Sequence, residues 1–310
     1  MVAVAVFAIL VIGILLWIKP SVIQLFFKPK NLIALVKQAS IIAICAVPMT
    51  FVLIIRGTDL SVGGLISFSG IMTAWLYVHG APSILCIVAG IMCATLLGMI
   101  DGIIIAKLNP PPFVSTFVFS ELALGLSLIM NNGSSIGPLG NDVTWVGRAA
   151  VAGIPVIILI MIAIVIFGTV ILHRTPFGNH VYALGNNELV VRQEGINITK
   201  IQIIIFTFIG FCSGIGGVLL MAVLKTAHPS QGVPYQLDTI AACAMGGVSL
   251  TGGEGKVPMA VGGALLIYAI RNVLNLLGAH PFIQNLVIGI IIIVVVAINT
   301  RRTYQSREDV

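Results

Sequence analysis

The sequence predicts an all-α polytopic membrane protein with about ten transmembrane helices. Of the 310 residues, 58% are hydrophobic and only 8% are charged, and the mean hydropathy is +1.13. Soluble domains carry about 25% charged residues, so this composition is typical of a chain surrounded by lipid. Several segments run for about 18 to 25 residues almost without charge, which is enough for a helix to cross a hydrocarbon core. A transmembrane barrel would instead show short alternating segments.

Hydropathy divides the chain into apolar segments joined by polar connections, of which 132–151 and 173–200 are the longest. The first segment lacks a basic leading region and a small-residue cleavage site, so it is predicted to be a membrane helix rather than a cleaved signal peptide. The segments are 2–18, 31–55, 60–78, 82–105, 113–131, 152–172, 201–224, 237–250, 257–277 and 282–299.

We expect a single transmembrane domain over 1–310, with a first half to about 151, a second half over about 152–300 and a polar C-terminal tail over 300–310. Lysine and arginine at the segment ends predict the orientation. They favour cytoplasmic N- and C-termini, which also puts the loop 173–200 in the cytoplasm. The net charge of +6 is scattered over segment ends rather than gathered in one patch, so it does not indicate nucleic-acid binding.

An internal similarity predicts an inverted repeat of segments 2–5 and 7–10. The stretch "GMIDGIIIAKLNPPPFVSTFVFSELALG" (98–125) resembles "GALLIYAIRNVLNLLGAHPFIQNLVIG" (263–289). In each, a charged residue (Asp101 or Arg271) is followed by Gly or Asn and, about ten residues later, by a Pro-Phe motif. These are segments 4–5 and 9–10, an odd offset, so the two copies would lie in opposite orientations. Inverted repeats are typical of transporters.

Segments 3 and 8 are short and interrupted by glycine. Such a pair in two halves points to a translocation pathway, although glycine and serine also let helices pack closely in lipid, and both interpretations stay open. The residues concerned are Gly63, Gly64 and Gly70 in segment 3, and Gly246, Gly247, Gly252 and Gly253 in segment 8.

No catalytic, nucleotide or metal motif is present in the sequence. There is no H-E-x-x-H and no G-x-S-x-G, and the five cysteines form no C-x-x-C pair. The stretch "GGEGK" (252–256) fails as a phosphate-binding loop, because Leu250 stands at its first glycine position and Val257 follows the lysine. We therefore expect no catalytic residue, no metal and no cofactor in this chain.

Polar residues in or beside apolar segments are the candidates for a translocation path, because such residues usually face a protein interior or a wet cavity. Glu121 is the most deeply placed acid; it either binds a polar solute or proton, or pairs structurally with Arg271 or Lys37. Asp59 or Ser61 either meets substrate or caps the next helix. The candidates are Glu121, Asp101, Arg271, Asn272, Asp59, Ser61 and Asp238.

The loop 173–200 contains a short predicted helix in "ALGNNELVVRQEGI". Asn186 or Asn187 can cap it, and Gly195 is placed to end it. Leu189 and Val190 give the helix an apolar surface, which suits docking into a groove on a partner. A plain surface connector is the alternative.

These motifs together resemble the permease subunits of bacterial ABC importers for sugars, the ribose-type branch that includes autoinducer uptake systems. The resemblance runs from about residue 31 to 299. It rests on "GTDLSVGG" (57–64), "PPFVST" (111–116), "IPV…TPFGNHVYALGNNELVVRQEGINI" (154–198), "FIGFCSGIGGVLLMAVL" (208–224) and "YQLDTIAACAMGGVSLTGGEGKV" (235–257).

This resemblance implies a transmembrane subunit that moves a sugar or sugar-like molecule by alternating access. It implies three kinds of partner: a second permease chain, identical or related; a cytosolic ATPase that binds the ATP and magnesium; and an extracytoplasmic sugar-binding protein. It also implies that the loop couples to the ATPase. The coupling residues are then Gly185, Asn186, Asn187, Glu188, Leu189, Val190, Arg192 and Gly195.

The chain departs from the family's usual pattern at several positions. Asp101 stands where asparagine is common, Glu254 stands where a basic residue is usual, and Glu121 is unexpected. These departures weaken any transfer of substrate identity but not of the fold. A different kind of protein, a proton-coupled secondary transporter that uses Glu121 or Asp101, is the alternative function.

Overall fold

The structure is a computed structural model that describes Gly13 and residues 20–308. Most of this part is helical. A two-stranded hairpin of β1 (Ala150–Val151) and β2 (Ile154–Pro155) lies in the connection before α6. The helices are α1 (Pro20–Phe26), α2 (Pro29–Ile54), α3 (Val62–Val78), α4 (Ser83–Leu108), α5 (Pro112–Met130), α6 (Val156–Arg174), α7 (Pro176–Asn186), α8 (Glu188–Gln193), α9 (Ile198–Leu224), α10 (Val233–Met245), α11 (Val257–Leu276) and α12 (Pro281–Glu308).

The helices are those of a polytopic membrane protein. In the described part, six are long and apolar enough to cross a membrane: α2, α4, α5, α6, α9 and α11. They correspond to predicted segments 2, 4, 5, 6, 7 and 9. Segments 3 and 10 correspond to the shorter apolar helices over Val62–Val78 and Pro281–Ile291. Segment 8 is the 13-residue α10. The predicted first segment, 2–18, lies outside the described residues.

Proline and left-handed residues define many helix ends. Pro29, Pro112 and Pro176 occupy the first turns of α2, α5 and α7, where a missing backbone N–H costs nothing because that group has no partner inside the helix. Asn109 (φ 52°) follows α4 and Lys225 (φ 58°) follows α9, both in the left-handed conformation that ends a helix. The chain therefore reverses direction at short, sequence-specified joints.

The long helices α2 and α9 form the centre of the bundle, and the other helices pack around them. α9 lies against α4 and α3, and α2 lies against α11 and α10. Gly98 of α4 faces Gly210 of α9 so closely that a Cβ on Gly98 would come within 2.6 Å of the Phe206 carbonyl. Without a hydrophobic driving force between helices in lipid, such backbone-to-backbone packing is what holds them together.

Side-chain contacts distinguish two ends of the bundle. At one end, which we call the α7–α8 face, Arg56 beyond the end of α2 reaches Gly185 of α7. At the other, which we call the hairpin face, Tyr77 of α3 and Ser83 of α4 both donate hydrogen bonds to Asp142 in the connection before α6. The chain thus passes between two separate polar faces, as a membrane protein requires.

Candidate functional site

The first group of candidate residues forms a buried polar cluster around the joint between α2 and α3. The Asp59 side chain is fully buried, and its Oδ1 accepts hydrogen bonds from the Ser61 N–H (2.6 Å) and the Ser61 hydroxyl (2.8 Å). Asp59 thus braces the turn that opens α3, much as an N-cap would, while Ser61 makes no capping bond with its own side chain. Burial raises the pKa of Asp59 to about 6, and the Ser61 donors act in the opposite direction.

Helix α5 completes this cluster. The Thr116 hydroxyl accepts a hydrogen bond from the Leu60 N–H (3.0 Å), and the Ser115 hydroxyl donates to Asp101 Oδ1 (2.5 Å). Asp101 is buried within α4, and its Oδ2 and that of Asp59 have no hydrogen-bond partner among the described residues. The structure therefore brings together three of the predicted candidates (Asp59, Ser61 and Asp101) and adds Ser115 and Thr116, which lie in the "PPFVST" motif.

The second group is an ion pair near the hairpin-face ends of α10, α11 and α12. Arg271 donates to both carboxylate oxygens of Asp238, at 3.0 and 2.8 Å, and to Asn285 Oδ1 at 3.1 Å. The three side chains line a cavity of about 370 Å³ whose remaining walls are mostly apolar. Arg271 therefore forms its ion pair with Asp238, and the suggested structural pair of Arg271 with Glu121 is wrong.

Asn272, the neighbour of Arg271, faces a different partner. Its amide exchanges two hydrogen bonds with the Asn31 amide, at 2.9 and 3.0 Å, and so ties α11 to the start of α2. The observed role of Asn272 is to join two helices.

Glu121 lies apart from both groups. It is exposed on the outside of α5, between the exposed apolar side chains of Phe117 and Leu122. Within the described part of the chain it makes no side-chain hydrogen bond or ion pair. The suggested pair with Lys37 is also wrong, since the Lys37 ammonium donates to the Gly147 carbonyl.

A third set of polar contacts crosses the middle of the bundle and was missed as a set by sequence reasoning. The Gly232 N–H donates to Ser67 Oγ (2.9 Å), and the Ser69 hydroxyl donates to the Gly214 carbonyl (2.8 Å). The Ser120 hydroxyl contacts Gln236 Oε1 at 3.4 Å. The signal in the sequence is the placement of hydroxyl and amide residues inside short apolar segments, which predicts a wet or hydrogen-bonded face but not its partners.

The loop 173–200 folds into two helices, α7 and α8, where the sequence indicated one. The Asn187 side chain caps α8, accepting from the Leu189 and Val190 N–H groups at 3.0 and 3.3 Å. Gly195 (φ 73°) follows the end of α8, so the predicted cap and stop are both observed. The Glu188–Arg192 ion pair (2.8 Å) spans one helical turn.

The solvent-exposed side of α8 carries apolar side chains. Leu189 and Val190 are 72% and 49% exposed. Gly185 and Asn186 belong to α7 instead, where they contact the α2–α3 joint. The eight residues predicted to act together are thus divided between an exposed helix and an anchored one.

The residues described, 13 and 20–308, contain no group of three or more His, Cys, Asp or Glu side chains arranged to hold a metal ion.

The chain is similar in sequence to known transport permeases. The chain matches the family described as "Branched-chain amino acid transport system / permease component" over residues 31–296. It is 36% identical over 280 residues to a ribose import permease protein of Bacillus subtilis, covering 90% of this chain and 87% of that protein. No solved structure matches the chain.

Two further relatives have related names. A ribose import permease protein of Haemophilus influenzae is 37% identical over 292 residues, covering 93% of this chain and 89% of the relative. An L-arabinose transport system permease protein of Escherichia coli is 32% identical over 248 residues, covering 80% and 76%. The chain therefore belongs to this family of transport permease components, and within it to the ribose-type permeases of sugar ABC importers.

Proposed function

We propose that this chain is the transmembrane subunit of an ATP-driven importer that moves a sugar or sugar-like molecule by alternating access. The observation that carries the proposal is similarity along nearly the whole chain to ribose import permeases, in a molecule whose α8 presents an apolar surface outside the helical bundle. We place it in the bacterial cytoplasmic membrane with both termini and the α7–α8 face in the cytoplasm, as its basic residues predict.

The proposal includes ten membrane segments and an inverted repeat of α2–α5 and α9–α12. Corresponding packing supports the repeat: α4 lies on α9 as α11 lies on α2, and α3 lies on α4 as α10 lies on α11. A basic residue in the left-handed conformation ends the first helix of each copy, Arg56 (φ 64°) and Lys225 (φ 58°). One lies at each face, as inversion requires.

The hairpins α4–α5 and α11–α12 correspond in the same way. In each, a charged side chain of the first helix bonds to a polar side chain 14 residues later, Asp101 with Ser115 and Arg271 with Asn285. Each second helix begins at a proline, Pro112 or Pro281. Two equivalent hairpins of opposite direction can open the bundle toward one face and then the other.

We assign the translocation path to polar groups of the α3, α5 and α10 region. Ser67, Ser120 and Gln236 supply hydroxyl and amide groups that suit the hydroxyls of a sugar. The cluster of Asp59 and Asp101 lies at the cytoplasmic end of this region in the proposed orientation, and the Asp238–Arg271 pair lies toward the outer end.

Energy is proposed to come from a partner. By its similarity to ribose import permeases, this chain is proposed to be a non-catalytic subunit, with ATP and magnesium bound to a separate ATPase. Leu189 and Val190 of α8 are the groups proposed to enter a cleft of that ATPase, with Asn187 and Gly195 fixing the ends of the helix. A second permease chain and an extracytoplasmic sugar-binding protein complete the assembly.

The test is uptake by the reconstituted complex. The chain is placed in vesicles with its ATPase and binding protein, and radiolabelled D-ribose, L-arabinose and D-allose are offered in turn. We expect accumulation of at least one sugar that needs both enclosed ATP and the binding protein. Uptake that proceeds without the ATPase, or that requires only a proton gradient, would contradict the proposal.

A further inference from the structure

Two glycine-rich motifs of the sequence meet the proposed coupling loop at one place. These are the joint between α2 and α3, which begins "RGTDLSVGG", and the loop "GGEGK" before α11. The function proposed above gives a role to Asp59 of the first motif, but none to Arg56 or to the second motif. At the α7–α8 face both contact the end of α7, and we call this place the three-way junction of Ile54–Arg56, Gly185–Asn186 and Gly252–Gly255.

Arg56 makes the first connection of the three-way junction. Its Nε donates to the Gly185 carbonyl at 2.7 Å and its terminal nitrogen donates to the Asn186 carbonyl at 2.9 Å. These carbonyls belong to the last turn of α7, where they have no partner within the helix and where the helix dipole favours a cation. The planar guanidinium reaches both at once, which a lysine ammonium cannot do with the same fixed geometry.

The backbone makes the second connection. The Gly253 N–H donates to the Ile54 carbonyl at 2.9 Å. A Cβ on Gly185 would collide with that same Ile54 carbonyl, so α7 and α2 are in direct backbone contact. The Tyr182 hydroxyl, one turn earlier in α7, donates to the Gly255 carbonyl at 2.5 Å. Hydrogen bonds and backbone contact therefore join the three segments to one another.

The three-way junction also leads into the bundle. Three residues after Arg56, Asp59 braces the start of α3, and the next backbone N–H, that of Leu60, donates to Thr116 of α5. On the other branch, Gly255 leads directly into α11. The three-way junction thus connects α7 both to the α2–α3 joint and to α11, elements that belong to the two halves of the molecule.

We propose that Arg56 is the positioning residue that fixes the coupling loop to the helices of the transport path, so that movement of α8 becomes movement of α3 and α11. This inference rests on the proposed function, since it names the contact through which that coupling acts. The backbone conformation of Arg56 supports this proposal. At φ 64° the residue adopts a left-handed conformation that glycine adopts more easily, yet an arginine stands here, and its side chain bonds to the α7 carbonyls.

The test uses Arg56→Gly, which removes the guanidinium while giving the backbone a residue well suited to the left-handed conformation. Lys225→Gly is the matched control, because Lys225 is also basic, also left-handed (φ 58°) and ends the corresponding helix at the opposite face. Both variants are compared with wild type in the complete importer, together with Arg56→Lys, which keeps the charge without the planar fork.

We expect Arg56→Gly to retain the ATPase subunit and the thermal stability of the complex but to lower ATP-driven sugar uptake about tenfold, while ATP hydrolysis continues. Amide hydrogen exchange in residues 183–195 rises, because α7 loses its hold on α2. Arg56→Lys has a smaller effect of the same kind, and Lys225→Gly leaves both measurements near wild type.

The inference is overturned if Arg56→Gly and Lys225→Gly behave alike in uptake, or if exchange in 183–195 is unchanged. It is also overturned if Arg56→Gly fails to fold while Arg56→Lys folds and shows normal uptake and exchange. If the wild-type complex imports no sugar with ATP, the proposed function fails instead, and the exchange comparison on the chain still decides whether Arg56 holds α7.

Discussion

At the scale of single residues, Asp59 is a carboxylate buried in the joint between α2 and α3. It is fully buried, and two Ser61 donors satisfy one of its oxygens while the other has no partner in the described part of the chain. Burial of the charged form dominates, so the pKa of Asp59 rises to about 6. A group whose pKa is raised on folding stabilises the protein when protonated and loses that contribution as pH rises through its folded pKa.

The variant Asp59→Asn tests this dependence of stability on pH. Asp59→Asn keeps an oxygen that can accept from Ser61 but removes the titration, so its free energy of unfolding should not share the loss that wild type shows between about pH 4 and pH 6. A pKa raised from 3.8 to about 6 corresponds to a loss of about 3 kcal/mol in the free energy of unfolding of wild type as the pH rises to 7, and Asp59→Asn should not show this loss. Thermal unfolding in detergent over this pH range measures it.

Asp142→Asn is the control with the opposite sign. Asp142 lies in an exposed connection, and donors from Ser83 and Tyr77 lower its pKa. Its contribution to stability is therefore present above its ordinary pKa and is lost as pH falls below that value. Equal pH profiles for Asp59→Asn and wild type would contradict the burial of Asp59 as a titrating group.

Helix packing provides a prediction at the scale of elements. A Cβ on Gly98 would lie 2.6 Å from the Phe206 carbonyl oxygen and 2.8 Å from the Gly210 Cα. Both are backbone atoms, which cannot move aside as the end of a flexible side chain can. Gly98→Ala should therefore push α4 away from α9 and destabilise the protein by about 2 kcal/mol. Thermal unfolding measures this loss.

Gly125→Ala is the matched control for Gly98→Ala. Gly125 lies in α5, with no atom within 4 Å of an added Cβ, and alanine favours a helix, so unfolding should occur at or slightly above the wild-type temperature. If Gly98→Ala and Gly125→Ala unfold alike, the contact between α4 and α9 does not depend on close backbone approach.

The exposed helix α8 provides a second prediction at this scale. Leu189→Glu places a charge on the apolar surface proposed to enter the ATPase, so the ATPase subunit should no longer co-purify with the chain. The fold should be unaffected, because Leu189 is 72% exposed. Co-purification and thermal unfolding measure the two effects separately.

Val151→Glu is the corresponding control on the hairpin face. Val151 is 59% exposed, close to the exposure of Leu189, but it lies at the opposite end of the bundle. The ATPase should be retained by Val151→Glu. Retention by Leu189→Glu as well would place the ATPase contact elsewhere than on α8.

At the scale of the whole molecule, Glu121 places a charge on an outer face of the helical bundle. It is exposed on a helix long and apolar enough to span the membrane, between Phe117 and Leu122. A charge at membrane depth is rarely exposed to lipid, because its transfer into hydrocarbon costs several kcal/mol. We therefore expect another protein chain to cover this face of α5.

We accordingly predict that the purified importer contains two permease chains. Native mass spectrometry of the complex should give two transmembrane subunits per assembly, either two copies of this 32.7 kDa chain or one copy and a related chain. Glu121→Leu should leave the helices intact and stabilise the chain isolated from its partners in lipid, because it removes an uncovered charge. A complex with a single transmembrane subunit would contradict the prediction.

Much of this architecture was predictable because its signals are local. Apolar runs of membrane-spanning length define α2, α4, α5, α6, α9 and α11 without reference to any neighbour. Asn187 and Gly195 define the ends of α8 in the same way, since a cap and a left-handed stop act within one turn. The family motifs are likewise read along the chain.

The partners of Arg271 and Arg56 are distant in sequence, and the tertiary structure alone decided them. Arg271 could pair with any acid at similar depth, and only the packing of α10 on α11 selects Asp238 over Glu121. Arg56 follows an apolar segment in the sequence, and only the folded chain brings it to the α7 carbonyls, 129 residues away. The sequence by itself thus determined a membrane permease and its helices through composition, length and motif order. Which charges meet depends on three-dimensional distance, which no pattern along the chain encodes.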